Sequence, residues 1–161
     1  MSDRATVIKQ LQETPAKLRE LTASGSEREI DFRPSEGDWS AREVLAHLVD
    51  DEMFVMRNRL ERIVSEDNPH LQPHDEQHWY ATRNTSRDEL SMLLDDFATQ
   101  RAASVNIMVF LREDDWRRVG FQPEIGSFSA EKWLDHWIEH DQVHLAQIAA
   151  NLATCRDQRS K

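Results

Sequence analysis

The chain has 161 residues, enough for one domain (1–161) with a sizeable core, and its 20 Lys and Arg against 30 Asp and Glu give a formal net charge of −10. That field opposes phosphate backbones and anionic membrane faces, and no local Lys/Arg cluster offsets it, so neither nucleic acid nor membrane is an expected partner. The single cysteine cannot form an intramolecular disulfide, no apolar run reaches membrane-spanning length, and Met1 to Arg19 is too polar for a signal peptide, so a reducing cytoplasm is the expected location.

Four glycines and five prolines fall mostly between periodic segments, and the periodicity predicts four long helices. The first runs from about Asp3 to Thr22, with Val7, Ile8, Leu11, Leu18 and Leu21 as its apolar stripe. Pro15 lies inside it, where a proline kinks or breaks a helix. A linker from Gly25 to Asp38 follows.

The second helix starts at Ser40, where Ser40-Ala41-Arg42-Glu43 has the form of a capping box. Val44, Leu45, Leu48, Val55, Met56 and Ile63 recur at helical spacing until about Ser65. Glu66 to Thr85 then reads as a long connection with one short helical turn near Glu76. It contains His70, His74 and His78, and at least one of these is expected beside a pocket.

A second capping-box pattern, Ser86-Arg87-Asp88-Glu89, places the start of the third helix at Ser86. Its core face is Leu90, Leu93, Leu94, Phe97, Val105, Met108 and Val109, ending near Leu111. Arg112 to Phe128 carries Gly120, Pro123 and Gly126 and has room for a short extended piece, though not for a sheet. The fourth helix runs from about Ser129 to Thr154 and buries Trp133, Leu134, Trp137, Leu145, Ile148 and Leu152. The expected fold is all-α, a four-helix bundle with a long crossover connection and its ligand sites between facing helices. Trp39, Trp79, Trp133 and Trp137 read as packing residues and Cys155 as a small filler near the end of the last helix.

The chemistry concentrates in histidines. His140 and His144 are one turn apart on one helix face, a spacing at which two imidazoles chelate one cation. His47, between Leu45 and Leu48, sits at a buried face of another helix and can complete a three-histidine site that leaves positions open for water or substrate. His136 stands one turn before His140, but His136 and His144 are ~12 Å apart along the axis, too far to share one ion. It reads as a rim residue or a donor behind the ligands. Asp51, four residues after His47, either orients that imidazole or sits near the metal, or is an exposed acid in the run Asp50-Asp51-Glu52. If the three histidines do converge, their ring nitrogens should cluster within ~4 Å of one another.

At these residues the sequence resembles the DinB/YfiT-like superfamily. The likeness rests on Asp38-Trp39-Ser40 leading into Glu43-Val44-Leu45-Ala46-His47-Leu48, and on His140-Asp141-Gln142-Val143-His144-Leu145-Ala146-Gln147-Ile148. The stretches Pro73-His74-Asp75-Glu76-Gln77-His78-Trp79 and Pro123 to Ser129 resemble the branch that contains the bacillithiol transferases. The resemblance implies a bundle in which His47, His140 and His144 bind a divalent metal, nickel or zinc, in a protein that is frequently a homodimer. It also implies a small-molecule substrate, with a low-molecular-weight thiol as cosubstrate in thiol transfer or water as nucleophile in hydrolysis. A non-catalytic, stress-induced metal or small-ligand binding protein is the alternative. The pocket is expected to be walled by the Glu66–Thr85 connection and the Arg112–Phe128 segment.

Overall fold

The computed structural model describes residues 3–159. Four long helical units form it: α1 (Arg4–Thr22); α3 (Ala41–Asp51), continued through a π-helical stretch (Glu52–Arg57) into α4 (Asn58–Ser65); α6 (Leu90–Phe110); and α8 (Ala130–Arg159). Short elements fill the connections: α2 (Glu27–Ile30), α5 (Glu76–Thr82), a 3₁₀ turn (Thr85–Arg87), α7 (Glu113–Arg117), and strands β1 (Val119–Gln122) and β2 (Gly126–Ser129). Helix α1 packs against α6 and α8, and α3 packs against the same two, so α3 and α8 are neighbours. None of the described helices is long and apolar enough to cross a membrane.

The apolar stripes close into two buried clusters. One gathers Val7, Leu11, Met56, Leu60, Ile63, Met108, Trp133 and Trp137; the other gathers Leu18, Val44, Leu45, Leu48, Phe97, Ile148 and Leu152. Between the two sets each long helical unit contributes a buried polar residue to a shared layer: Thr14, Glu52, Arg101 and Asp141. These four residues bond to one another. Arg101 donates from Nε and Nη2 to Glu52 at 2.9 and 2.8 Å, from Nη1 and Nη2 to Asp141 at 2.6 and 2.9 Å, and from Nη1 to the Leu11 carbonyl at 2.9 Å. All five guanidinium N–H groups therefore have acceptors. Thr14 Oγ1 donates to Asp141 at 2.6 Å and Trp137 Nε1 to Glu52 at 3.0 Å.

This layer accounts for Pro15. The expected break does not occur, and α1 runs continuously through the proline. Proline has no N–H for the carbonyl four residues back. That carbonyl is Leu11's, and Arg101 supplies the missing donor.

Other expectations are corrected. The Gly25–Asp38 linker contains α2, opened by a capping box between Ser26 and Glu29. The Ser40–Glu43 capping box forms, but the Ser86–Glu89 one does not. Arg83 holds both oxygens of Asp88 at 2.8 and 2.7 Å and Arg42 takes the Asp88 carbonyl, so the chain stays outside the helix until Glu89 caps the Met92 amide. Val109 is 52% exposed rather than buried. Helix α8 continues five residues past Thr154 to Arg159. The Arg112–Phe128 segment does form a sheet, an antiparallel hairpin in which Val119 faces Ser129 and Gln122 faces Gly126. Gly126 adopts φ 87° at the turn, a conformation that glycine takes without strain. The hairpin edge also captures the long connection, since Phe121 donates to the Pro69 carbonyl and Leu71 donates to that of Phe121.

The buried layer makes Arg101→Met the most damaging single change we expect. Two carboxylates would lose their counter-ion, at a cost of about 3–5 kcal/mol. Replacing Arg101, Glu52 and Asp141 together with apolar residues should recover most of it, read as urea unfolding midpoints.

Candidate metal centre

The site is assembled by two neighbouring helices whose local rules are simple. Ser40 accepts from the Glu43 amide and Glu43 returns the bond to the Ser40 amide, which sets the start of α3 and leaves His47 two turns in, on the face turned to α8. His140 and His144 rise from α8 one turn apart. His47 is fully buried, and His140 and His144 are partly so. One ligand atom from each lies within 4.8 Å of the others, so all three predicted residues are brought together, slightly wider than expected. The Nε2 atoms of His47 and His140 are 3.3 Å apart. Two nitrogens held ~2.05 Å from one ion at a tetrahedral angle would lie ~3.3 Å apart, so this pair is spaced for a shared cation.

Asp51 belongs to the same cluster and is not the exposed acid of the alternative reading. It is 4% exposed, with Oδ2 3.6 Å from Nε2 of both His47 and His140. Of the three histidines in the long connection, the structure selects His74. Its Nε2 stands 3.1 Å from Asp51 Oδ1, and this carboxylate raises the His74 pKa. His47, Asp51 and His74 form a second set of donors close enough to hold an ion. His70 lies on Phe121 and His78 is exposed. His136 is an exposed rim residue stacked on Trp133, outside both donor sets.

The electrostatics favour neutral imidazoles. Burial pushes the His47 pKa down to about 4 and that of His140 down to about 3, in each case against the pull of Asp51. Burial raises the Asp51 carboxyl, but His74, His47 and His140 outweigh it and the net shift is downward. An ionised carboxylate beside lone-pair nitrogens is the protonation state that metal ligation requires. His144 is oriented from behind, its Nδ1 donating to Gln147 Oε1 at 2.9 Å and leaving Nε2 for an ion. His47 Nδ1 is buried without a partner.

Trp39 and Trp79 flank His47, with ring centroids at 5.1 and 5.2 Å, and Trp79 Nε1 donates to Asp50 at 2.8 Å. These two tryptophans wall the site, whereas Trp133 and Trp137 are core. Beside His74 lies a cavity of about 160 Å³, lined by the π-helical stretch, α4 and Leu71 to His74. The expected wall from Arg112–Phe128 is absent from that lining, because the hairpin stands behind Leu71 and holds it in place. Sequence reasoning missed Arg59, which also lines the cavity. The signal was available: Arg59 lies four residues from both Val55 and Ile63, a charge on an apolar stripe.

The bundle with a histidine cluster between two of its helices defines a class of helical proteins built to hold a metal between facing helices. A family model described as the DinB superfamily matches residues 10–148, and the chain belongs to that superfamily. "Putative metal-dependent hydrolase OB0782" of Oceanobacillus iheyensis is 28% identical over 144 residues, covering 89% of this chain and 82% of the relative. "Putative metal-dependent hydrolase YfiT" of Bacillus subtilis is 24% identical over 143 residues, covering 88% and 79%. The solved structure of YfiT, described as having an unusual four-helix bundle topology, superposes with a TM-score of 0.84 at 22% identity, covering 94% of this chain and 88% of that one, and it shows the shared fold.

The depressed histidines set a pH dependence in the metal-free protein. The unfolded chain protonates them near 6.5, but the folded chain does not until about 4 and about 3. Their contribution is therefore complete above 6.5 and is lost as pH falls toward those values. His74, shifted upward, acts in the opposite sense. Urea midpoints should fall between about pH 7.5 and 5, and His140→Phe should flatten the slope. An unchanging midpoint in the native chain would contradict this assignment.

Proposed function

We propose that the chain is a metal-dependent enzyme, a hydrolase or thiol S-transferase acting on a small molecule, with His47, His140 and His144 holding the metal. The observation that carries this reading is the 3.3 Å approach of the His47 and His140 Nε2 atoms, with Asp51 Oδ2 3.6 Å from both. A divalent ion such as zinc or nickel supplies Lewis acidity there, making water or a thiol nucleophilic near neutral pH.

The chain's own residues do the rest. His144, fixed by Gln147, and His47, packed between Trp39 and Trp79, keep their rings aimed at one point. Asp51 and His74 form a charged pair at the edge of that point, placed to accept and return a proton of the incoming nucleophile. The nucleophile comes from outside. Cys155 is buried, and eleven residues beyond His144 it lies ~16 Å further along α8. In the same reading the protein is one domain, works as a homodimer in the cytoplasm, and engages neither nucleic acid nor membrane.

A second reading has one observation in its favour. Asp51 is placed to serve as a fourth ligand, which would close the coordination sphere and leave a non-catalytic binding protein.

Metal analysis of untagged protein should find about one divalent ion per chain. His140→Ala should lose it and remain helical by circular dichroism, because the apolar stripes drive assembly. Activity against a panel of electrophiles and esters, with and without thiols, should vanish with chelator and in His140→Ala and persist in Cys155→Ala. A tightly metallated protein inactive across the panel would support the binding reading.

A further inference from the structure

Buried arginines in this chain carry their counter-charges with them. Arg101 holds Glu52 and Asp141, and Arg83 holds both oxygens of Asp88. Arg59 is the exception. It is 8% exposed, on the inward face of α4, and among the described residues no carboxylate stands at ion-pair distance from it. Its one hydrogen bond to the protein runs from Nη2 to the Gln72 carbonyl at 2.7 Å, which leaves most of five N–H donors unused. Burial pulls its pKa down, and Asp51 and Glu124 act on it only through space. A guanidinium buried without its counter-ion is unfavourable unless something else supplies the negative charge.

The surroundings indicate what does. Arg59 lies over the Trp133 ring at 5.1 Å. It lines the cavity of about 160 Å³ together with Phe54, Asn58, Arg62, Gln72 and His74. Arg62 is already neutralised by Glu66, with contacts of 2.8 Å, so the uncompensated charge in the cavity is that of Arg59. His74 joins the cavity to the histidine cluster through Asp51. A planar guanidinium presents paired donors that match a carboxylate or a phosphate. The site is thus a cation in a small cavity that is also lined by His74, which stands 3.1 Å from Asp51 of the histidine cluster.

We propose that this cavity is an oxyanion subsite, in which Arg59 receives a carboxylate or phosphate group of the substrate and directs the remainder of the molecule toward His47, His140 and His144. The direction in which the substrate points rests on the proposed function, whereas the binding of the anion does not. The substrate is then a small molecule with an anionic oxygen group at one end and its reacting centre at the other. Gln72, whose carbonyl Arg59 holds, keeps the connection carrying His74 against α4, so one side chain both binds the anion and holds the connection in place.

The test is isothermal titration calorimetry of succinate and of inorganic phosphate into the protein in two forms, stripped of metal and loaded with zinc. Chloride and uncharged succinamide serve as controls. At least one anion should bind both forms, and Arg59→Met should weaken it by about tenfold or more with zinc content and helicity unchanged. The anion preferred identifies carboxylate or phosphate as the group carried. Equal binding by Arg59→Met, or no binding of either anion to the unaltered protein at about 10 mM, overturns the proposal. If Arg59→Met does not fold, the Arg59 Nε–H resonance of ¹⁵N-labelled native protein must shift on adding the anion, and an unmoved resonance overturns it equally. Failure of the unaltered protein to take up either zinc or nickel would defeat the proposed metal enzyme, while Arg59-dependent anion binding in that protein would leave this subsite standing.

Discussion

A guanidinium with all five of its N–H groups satisfied lies at the level where the four long helical units meet, and the rest of the structure is arranged around it. Arg101 from α6 takes both carboxylates of its layer, Glu52 and Asp141, and the Leu11 carbonyl that Pro15 leaves free. Burial alone would drive the charge off such a group, yet Glu52 and Asp141 outweigh it and raise the Arg101 pKa. Apolar stripes can slide or rotate against one another at modest cost. A buried ion layer cannot, because any other register strands a charge in a medium that solvates it poorly. The layer therefore acts as a register device between two apolar cores.

The candidate metal centre takes its precision from that layer. Asp51 precedes Glu52, and His140 precedes Asp141. Successive residues on a helix are turned by about 100°, so fixing Glu52 and Asp141 on Arg101 turns Asp51 and His140 toward the face where His47 waits. The π-helical stretch that starts at Glu52 adds a residue to the turn at this point, a feature that recurs next to functional sites. The three histidines thus sit on rigid helices, and the charged partner His74 arrives on a connection tied down by the hairpin edge and by Arg59. Sites built on helices are held more precisely than sites on loops.

Much of this was legible in the sequence, because helices obey local periodicity. The stripes, the Ser40 cap and the pairing of His140 with His144 follow from spacings of three and four, and His47 follows from its place between buried leucines. Interruptions of the stripes were equally legible in principle. Arg101 lies midway between Phe97 and Val105, Asp141 between Trp137 and Leu145, and Arg59 between Val55 and Ile63, each a charge where periodicity demands an apolar residue.

The sequence by itself determined that four amphipathic helices would form and that three histidines would stand on their inner faces, since those outcomes depend on neighbours within a turn. Only the tertiary structure decided which charges meet. Thr14, Glu52, Arg101 and Asp141 are brought together from four helical units, Asp51 of α3 meets His74 of the long connection, and Phe121 meets Pro69 across a hairpin edge. It also overruled local signals: Pro15 stays helical because a distant arginine satisfies the carbonyl behind it, and Ser86 fails to cap because Asp88 is held by Arg83 and Arg42. Pairings of that kind depend on distances across the fold, and no spacing along the chain encodes them.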